Sequence, residues 1–595
     1  MTASDFLLER LVEWGFYRVY GYPGDGINGI MAAFERIGDK LQFIQVRHEE
    51  MAAFMACAHA KYTGDVGLCL ATSGPGAVHL LNGLYDAKMD HTPVVAIVGQ
   101  AATTAMGSSY QQEVDLHVLF QDVTEYVYTV SSPAAMRHIV DRAVRTAKAY
   151  RAVTCVIVPK DVQEKKAVAQ PPRKHNYAHS SVGYVRPVVM PAEHDLRRAA
   201  DLLNDGERVA ILVGQGALDA TEEVLAVAER LRGGVAKALL GKAAVPDDVP
   251  FVTGTLGLLG TGPSSDMMNG CDTLLMVGTC YPYSEFLPKE GQARGVQIDI
   301  DARNVGLRYP TEVNLIGDSR ATLTALLPLL EQKSDGAWRE RIEKQMTDWR
   351  RAEEKRCHVS ADPINPQLVF WELNERLPSD AILSGDAGTA TNWFARNIQV
   401  RRGMKCSLSG GLATMGSAVP YAIAAKFAFP HRAVVACTGD GAMQMNGNAE
   451  LLTVAKYWRR WHDPRLVFLV LNNTDLNQVS WEMRVEGGYP KYDPSQVLPR
   501  FNYAQYAESV GLHGIRMERP EDVGPGWDAA FASDRPVVVD ALVDPNISQL
   551  PPHISFEQAH NLFSALAKGD PDESGVIAES IKSLLASFTP YAGRH

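Results

Sequence analysis

A carboxylate and a carboxamide, each placed where a buried strand is predicted to end, are the residues of this sequence with the clearest chemical potential. Asp440 stands in a Gly-Asp-Gly sequence directly after the apolar run 434–437, and Asn473 follows the apolar run 466–471. Both side chains offer hard oxygen ligands, which suit Mg²⁺ or Ca²⁺ rather than zinc, and Mg²⁺ usually completes its coordination with phosphate oxygens and water. The flanking glycines let the backbone approach a phosphate group closely. The sequence therefore predicts a divalent-cation site that anchors a phosphate.

The elements that must position these two residues form a strand–helix–strand unit. Residues 450–455 carry the apolar spacing of one helical face, and both strands are apolar throughout, as in a parallel sheet buried on both faces. The strands then end at one edge of the sheet, where open α/β sheets bind ligands. A lone Gly-Asp-Gly is more often a tight turn, but the Asn472-Asn473 pair at the second strand end favours the metal site. Segment 457–465 is predicted to be a surface insertion in the helix-to-strand loop.

Length and composition exclude several classes of function. With 595 residues the chain is expected to form three or four domains, and its 46% hydrophobic and 21% charged residues are typical of a soluble globular protein. The net charge of −11 is spread without a basic stripe, which argues against nucleic-acid binding. The eight cysteines form no CxxC pair, which argues against zinc fingers and a disulfide framework. Because no run of 18 apolar residues and no signal-peptide core are found, a cytoplasmic location is expected.

The Gly-Asp-Gly, the intervening helix and the Asn-Asn pair resemble the thiamine diphosphate signature of the enzyme family that includes acetolactate synthase and pyruvate oxidase. The resemblance covers nearly the whole chain, and within the family it is strongest to the pyruvate:quinone oxidoreductases. It implies thiamine diphosphate and Mg²⁺ as cofactors. Asp440, Asn473 and the main-chain carbonyl of Asp475 would bind the metal, while Gly441 and Ala442 would lie against the diphosphate.

The family's architecture implies three α/β domains, each built on a doubly wound parallel sheet. Residues 1–180 are predicted to bind the pyrimidine ring of thiamine, residues 190–335 to form a central FAD-type nucleotide-binding domain, and residues 360–550 to bind the diphosphate, partly through the loop 385–389. Residues 551–595 are assigned to a C-terminal tail. Because an acid from one subunit meets the diphosphate domain of another in this family, the active unit is expected to be a homodimer, within a dimer of dimers.

Glu49 is the acid that the resemblance assigns to catalysis. It opens an alanine-rich helix after a predicted strand, where the helix dipole alone would also explain an acid in the first turn. The family has its invariant glutamate at this place, hydrogen-bonded to the aminopyrimidine ring in a dry pocket. Gln112 matches a family glutamine that faces cofactor and substrate, and Glu482 matches an acid that faces the substrate.

Two glutamines, Gln111 and Gln478, stand where the relatives have phenylalanine. Both are expected to lie on opposite walls of the substrate pocket. We therefore hypothesise a pocket more polar than one built for pyruvate, which accepts a larger or more hydroxylated 2-oxo acid.

The glycine-rich segment 409–417 is expected to contact the cofactor. By resemblance, the contacting residues are Ala413, Thr414 and Met415, with Met415 as the apolar wedge that bends thiamine into its V shape. Core filling is the alternative role for a methionine at this place.

The flavin assignment depends on two strand ends of the central domain. A predicted strand over 273–277 runs into a Gly-Thr-Cys-Tyr-Pro segment, and a second over 296–300 carries acids at its end, where an acid can bond a ribose hydroxyl. By resemblance to the flavin site of pyruvate oxidases, the residues predicted to bind FAD are Gly257, Gly278, Thr279, Cys280, Tyr281, Pro282 and Asp299. Relatives carry an arginine near the flavin where this chain has Leu240, and some family members keep the domain without a flavin, so a protein lacking FAD is the alternative.

The resemblance implies decarboxylation of a 2-oxo acid such as pyruvate, followed by oxidation through FAD to quinone or O₂. The runner-up is a non-redox carboligase or decarboxylase with structural or absent FAD. A regulatory binding protein on a retired enzyme fold would be expected to lack Glu49 or Asp440, and both are present. Residues 576–585 have helical apolar spacing, and such a tail serves either as a peripheral contact with the inner membrane surface, as in quinone-reducing relatives, or as a helix docked on the protein's own body.

Overall fold

The computed structural model describes residues 1–549 and 555–587 and contains three six-stranded sheets whose strands all run parallel. Each sheet winds in two directions from a central pair of strands, so three doubly wound α/β domains follow one another, as the sequence predicted. Helices cover both faces of each sheet, which is why the central strands are apolar throughout.

The first domain presents one crevice at the point where its winding reverses. Its strands are β1 (Arg18–Gly21), β2 (Gln42–Gln45), β3 (Gly67–Ala71), β4 (Val94–Gln100), β5 (Tyr126–Thr129) and β6 (Val153–Pro159). Its helices are α1 (Ala3–Glu13), α2 (Asn28–Ile37), α3 (Glu49–Thr63), α4 (Pro75–His79), α5 (Leu81–Met89), α6 (Leu116–Gln121), α7 (Pro133–Tyr150) and α8 (Lys160–Glu164). The order β2-β1-β3-β4-β6-β5 brings the loops after β1 and β3 together, and the Gly26 N–H donates to Thr72 Oγ1 across them at 3.0 Å.

The central domain reverses between β7 and β10. Its strands are β7 (Val209–Val213), β8 (Gly234–Lys237), β9 (Val252–Thr255), β10 (Thr273–Val277), β11 (Arg294–Asp299) and β12 (Val313–Ile316). Its helices are α9 (Glu193–Asp205), α10 (Thr221–Arg230), α11 (Gly262–Gly270), α12 (Ser319–Leu326) and α13 (Ala337–Cys357). In the order β12-β11-β10-β7-β8-β9 the loops after β7 and β10 flank the switch point, where ligands bind in this class of sheet.

The third domain reverses between β13 and β15. Its strands are β13 (Ile382–Gly385), β14 (Lys405–Ser407), β15 (Val434–Gly439), β16 (Leu466–Asn472), β17 (His513–Met517) and β18 (Val537–Leu542). Its helices are α14 (Pro366–Arg376), α15 (Thr389–Asn397), α16 (Ala418–Ala428), α17 (Asp440–Ala442), α18 (Asn448–Tyr457), α19 (Asn477–Val485), α20 (Asp493–Gln496), α21 (Tyr503–Ser509) and α22 (Pro520–Ala532), with a π-helical turn (Met443–Gly447) between α17 and α18. The order β14-β13-β15-β16-β18-β17 sets both predicted diphosphate loops at the switch point.

Two further helices, α23 (Phe556–Ala567) and α24 (Glu573–Ser587), follow the third domain. The predicted helical spacing in the tail is confirmed, and Val576 of α24 packs with Leu562 of α23 against Trp481 and Val485 of α19. Within residues 1–549 and 555–587, no helix is long and apolar enough to cross a membrane. Residues 551–554 and 588–595 of the predicted tail lie outside the described residues.

Tertiary contacts shape three segments beyond their local pattern. Residues 313–316 form the strand β12, which completes the edge of the central sheet beside β11. Arg339, in the charged run 339–356, is buried with its guanidinium 3.7 Å from the centre of the Phe251 ring. Segment 457–465 is not wholly a surface insertion, because Trp461 is buried against Phe427.

Candidate active site

Asp440 and Asn473 meet at the carboxyl edge of the third sheet. The register of β15 and β16 pairs Gly439 with Leu471, so the two strands end level. Asp440 Oδ2 accepts the backbone N–H groups of Asn473 at 3.0 Å and Thr474 at 2.6 Å, although 33 positions separate Asp440 from Asn473. Burial raises the pKa of Asp440 to about 7, against the opposing effect of these N–H donors. A cation placed beside this buried carboxyl would favour its ionised form.

The side chain of Asp475 is occupied by its protein neighbours. Its carboxylate accepts from Ser480 Oγ at 3.1 Å and from Asn477 Nδ2 at 3.0 Å, and it lies 3.3 Å from Lys491 Nζ. A metal ligand from this residue would therefore come from the main chain, in agreement with the carbonyl that the family resemblance assigns.

Asp386, directly after β13, joins this strand end to the start of α16 and to β15. Its Oδ1 accepts the Gly416 N–H at 2.7 Å, and its Oδ2 accepts the Ala418 N–H at 3.1 Å and the Thr438 hydroxyl at 3.2 Å. Burial raises the pKa of Asp386 to about 6. The sequence indicated the loop 385–389 but not that Asp386 would bond to neighbouring elements. The available signal was its position, directly after a buried strand at a switch point.

The glycine-rich segment lies across the Gly-Asp-Gly turn. A Cβ on Gly441 would lie 2.7 Å from Leu476 Cδ2 and 3.3 Å from Met415 Cε, so only glycine leaves this approach open. Ala413 and Met415 line a large cavity between this site and the central domain. The Thr414 hydroxyl instead accepts a hydrogen bond from Asn82 of the first domain at 3.0 Å.

One cavity of about 1960 Å³ joins this site to the switch point of the central domain. Typical ligand pockets measure roughly 300–1,000 Å³, so the volume has room for more than one cofactor. The predicted site residues that line it are Ala413, Met415, Asp440, Gly441, Ala442, Asn473, Asp475, Glu482, Gly278, Thr279, Cys280, Tyr281, Pro282 and Asp299. Four predicted site residues are not part of its lining: Glu49, Gln112, Thr414 and Gly257.

The central-domain end of the cavity has the backbone geometry of a nucleotide cradle. Gly278 has φ +59°, and a Cβ on it would lie 2.5 Å from Gly216 Cα, so the loops after β7 and β10 touch through glycines. Burial raises the pKa of Asp299, which stands at the end of β11. A Cβ on Gly257 would lie 2.0 Å from the Tyr281 hydroxyl, so Gly257 supports the cavity wall from behind. These residues could hold a dinucleotide such as FAD, with Asp299 placed at a strand end where an acid can bond a ribose hydroxyl.

Glu49 belongs to a separate group on the first domain. Its Oε2 lies 2.9 Å from His79 Nδ1, and a Cβ on Gly76 would lie 3.0 Å from its Oε1. Gln112, with φ +62°, packs against Gly74 of the same corner, 2.8 Å from the position that a Cβ there would take. Within one chain this group does not line the large cavity, so the predicted site residues fall into two groups.

His79 is a residue that sequence reasoning missed. It ends α4, three residues after the Gly-Pro-Gly sequence 74–76, and its ring stacks on His48 with centroids 4.3 Å apart. Its proximity to Glu49 depends on the packing of α4 against α3, which no local pattern predicts. The only available signal was a histidine four residues after the Pro75 that begins this helix.

The C-terminal helices hold α19, which carries Glu482, through buried charges. Arg484 donates from Nε and Nη2 to both carboxylate oxygens of Asp570 at 2.8 and 2.9 Å, and also from Nη2 to Asp572 at 2.8 Å. Lys491 lies 3.1 Å from Asp572 and thereby connects this cluster to Asp475.

Asp570→Ala is expected to release α23 and α24 from the third domain. Breaking a buried ion pair that leaves a charge without a partner costs about 3–5 kcal/mol. Here the expected cost is below that range, because Arg484 keeps its contact with Asp572 at 2.8 Å. Limited proteolysis should cleave the C-terminal segment faster, and thermal unfolding should begin at a lower temperature. Asp534→Ala, at an exposed aspartate paired with Arg535, is the control and should change neither measurement. Equal protease resistance of the two variants would contradict a clamping role.

Comparison with known proteins agrees with this geometry. The chain matches three family models: the thiamine pyrophosphate enzyme N-terminal TPP binding domain over residues 1–119, the central domain over residues 196–326, and the C-terminal TPP binding domain over residues 386–541. It therefore belongs to the thiamine pyrophosphate (thiamine diphosphate) enzyme family.

Relatives align along nearly the whole chain. A Bacillus subtilis protein named as thiamine pyrophosphate-containing is 36% identical over 95% of this chain and 96% of its own length. Pyruvate oxidase of Lactiplantibacillus plantarum is 30% identical over 91% of this chain and 89% of its own. Acetolactate synthase of Mycobacterium bovis is 30% identical over 91% of this chain and 88% of its own length. An oxidase and a synthase are thus equally similar to the chain.

Proposed function

We propose that this chain is a thiamine diphosphate- and Mg²⁺-dependent enzyme that decarboxylates a 2-oxo acid and delivers two electrons through FAD to a quinone or O₂, in the manner of the pyruvate oxidases and pyruvate:quinone oxidoreductases. The observation that carries the proposal is the cavity shared by Asp440 and the switch point at Gly278. A diphosphate-anchoring site alone would serve any family member. A nucleotide-type site opening into the same cavity supports an electron acceptor beside the reaction.

The residues of the chain would supply positioning and proton control. When bound, thiamine diphosphate supplies an electron sink for the carbanion that loss of CO₂ leaves, and FAD supplies a two-electron acceptor. Asp440 and Asn473 would hold the metal and diphosphate end. Glu49, with His79 beside it, would hold a proton at the pyrimidine ring, and Glu482 faces the cavity where a substrate would lie.

The test is a visible spectrum of the purified protein with thiamine diphosphate and Mg²⁺. We expect flavin absorbance that bleaches when a 2-oxo acid is added without oxygen and returns on addition of a quinone or O₂. Release of CO₂ should require both thiamine diphosphate and Mg²⁺. A flavin that stays oxidised while CO₂ is released would contradict the oxidative step and leave the decarboxylation.

A non-redox carboligase or decarboxylase is the second candidate, since the acetolactate synthase of Mycobacterium bovis is as similar to the chain as the pyruvate oxidase. FAD would then be structural or absent. This candidate predicts a product that joins two 2-oxo acid molecules, or a free aldehyde, without net electron transfer.

We further propose that the active unit is a homodimer, within a dimer of dimers. The support is that Glu49 does not line the cavity within one chain. A second copy could bring its Glu49 to the Asp440 site, which would complete the predicted set of residues.

A further inference from the structure

A chain of side-chain amides lies along the cavity wall beside the Asp440 site. Asn392 Nδ2 donates to Gln478 Oε1 at 2.5 Å and to Gln549 Oε1 at 2.7 Å. Gln478 Nε2 in turn donates to Glu482 Oε1 at 2.9 Å. Asn392 and Gln549 are buried, whereas Gln478 is half-buried and Glu482 is exposed. The network therefore runs from the core of the third domain to the cavity surface.

The buried end of the network fixes the orientation of its exposed end. Gln549 Nε2 donates to Thr389 Oγ1 at 3.0 Å and to Asn477 Oδ1, so its Oε1 is the acceptor turned towards Asn392. The Asn392 amide nitrogen then meets the oxygen of Gln478, and the Gln478 amide nitrogen is directed to Glu482. If the Gln478 amide were reversed, its nitrogen would face the Asn392 nitrogen, so two donors would meet. Its oxygen would face the Glu482 carboxylate, so two acceptors would meet.

Two hydrogen-bonding groups face the cavity from this arrangement. Across residues 1–549 and 555–587, one hydrogen bond is found for Gln478 Nε2 and one for the Glu482 carboxylate, which leaves a second N–H and a second oxygen. Both residues line the cavity that also contains Asp440. A hydroxyl group can accept from the amide N–H and donate to the carboxylate, whereas an alkyl group would desolvate both without replacing their bonds with water.

The acidic side chains at this wall disfavour substrates that carry a second carboxylate. Glu482 and Glu486 both line the cavity, while Ser555 and Gln558 add neutral polar groups from the start of α23. A second carboxylate on the substrate chain would meet these acids and be repelled.

We propose that the substrate is a 2-oxo acid whose chain carries one or more hydroxyl groups, recognised by Gln478 and Glu482. The inference rests on the proposed decarboxylation of a 2-oxo acid and adds the chemical class of that acid. Gln111, which the sequence suggested for the same role, is exposed and does not line this cavity within one chain, so the amide network alone carries the inference.

The test compares acids matched in carbon number, using the full-length protein loaded with thiamine diphosphate and Mg²⁺. The pairs are pyruvate with 3-hydroxypyruvate and 2-oxobutanoate with 4-hydroxy-2-oxobutanoate, and 2-oxoglutarate is the acidic comparison. In the wild type, kcat/KM for at least one hydroxylated acid should exceed that of its partner by about 10-fold or more, the discrimination that a hydrogen-bonding pocket open to water can provide. 2-Oxoglutarate should be the poorest substrate.

Gln478→Leu and the longer Gln478→Met should each abolish this preference by lowering kcat/KM for the hydroxylated acid. Gln505→Leu, at an exposed glutamine of α21, is the matched control and should leave the preference unchanged. Isothermal titration with the acylphosphonate analogues of each pair, which cannot release CO₂, provides a second readout, in which the hydroxylated analogue should bind more tightly to the wild type only. Thermal unfolding of each variant verifies folding.

Two results overturn the inference, and they are distinguishable. Turnover of pyruvate and 2-oxobutanoate at rates equal to their hydroxylated partners, unaffected by either Gln478 variant, rejects the hydroxylated class and leaves the proposed decarboxylation. Absence of CO₂ release from every acid, together with no binding of thiamine diphosphate, rejects the proposed function and this inference with it.

Discussion

Glu49→Gln is expected to lower kcat for CO₂ release by about 10²–10⁴-fold, the range lost when a positioned acid–base group is removed. Glutamine has nearly the same shape, so the packing against Gly76 is retained, but it cannot exchange a proton with the pyrimidine ring or with His79. The affinity for thiamine diphosphate, measured by quenching of tryptophan fluorescence, should change little. Stopped assays of CO₂ release at saturating cofactor provide kcat.

The control is Glu35→Gln, on the exposed side of α2 in the same domain. It should behave as the wild type in both measurements. Full activity of Glu49→Gln would remove this residue from the mechanism, and an equal loss in both variants would indicate a general effect on the domain.

Asp440→Ala is expected to weaken binding of Mg²⁺ and thiamine diphosphate by more than about 100-fold, since even the outer partners of metal ligands contribute 10–100-fold. Asp440→Asn keeps an oxygen for the N–H groups of Asn473 and Thr474 while removing the charge. It should therefore fold as the wild type yet retain most of the binding defect. Equilibrium dialysis at fixed Mg²⁺ measures both variants, and wild-type affinity in Asp440→Asn would contradict a metal-binding carboxylate.

The same site should give cofactor binding a defined pH dependence. Burial raises the pKa of Asp440 to about 7 in the metal-free protein, and a metal binds only the ionised carboxylate. Affinity should be constant above this pKa and fall as the pH drops below it, with release of a proton on binding. Calorimetry in two buffers of different ionisation enthalpy counts that proton, and pH-independent binding between about pH 6 and 8 would contradict the assignment.

Co-expression of the Glu49→Gln and Asp440→Ala variants tests whether the site is shared between chains. A hybrid dimer of Glu49→Gln and Asp440→Ala chains has one site in which both native residues meet, provided that Glu49 acts on the neighbouring chain. Co-expression should therefore restore up to half of the wild-type activity per dimer. If Glu49 acted within its own chain, every site in the hybrid would be defective and no activity would return.

Local sequence predicted the elements whose pattern lies within one short segment of the chain. The apolar runs that became β10 and β16, and the polar residues directly after β15 and β16, indicated parallel strands and a site at their ends. Buried Arg339 could not be predicted, because its partners include Phe251 and the carbonyl groups of Ala228 and Gly233, all more than 80 positions away.

The residues of the candidate site also fall into those that local sequence predicts and those that only the tertiary packing brings together. Asp440 and Asn473 follow from strand-end logic, whereas His79 reaches Glu49 only through the packing of α4 on α3. The amide network joins Asn392 to Gln549 across 157 positions. Such contacts depend on the tertiary arrangement, so residue type and spacing alone could suggest a polar pocket at Gln478 but not its orientation.

The buried pairing of Arg484 with Asp570 ties the segment that joins α23 and α24 to α19, the helix that carries Glu482. An affinity tag fused to the carboxyl terminus, or nicking by a contaminating protease during purification, would act on the helix that carries Glu482 rather than on a dispensable end. Preparations that differ in the integrity of these helices should accordingly differ in substrate preference even when their spectra and cofactor contents agree.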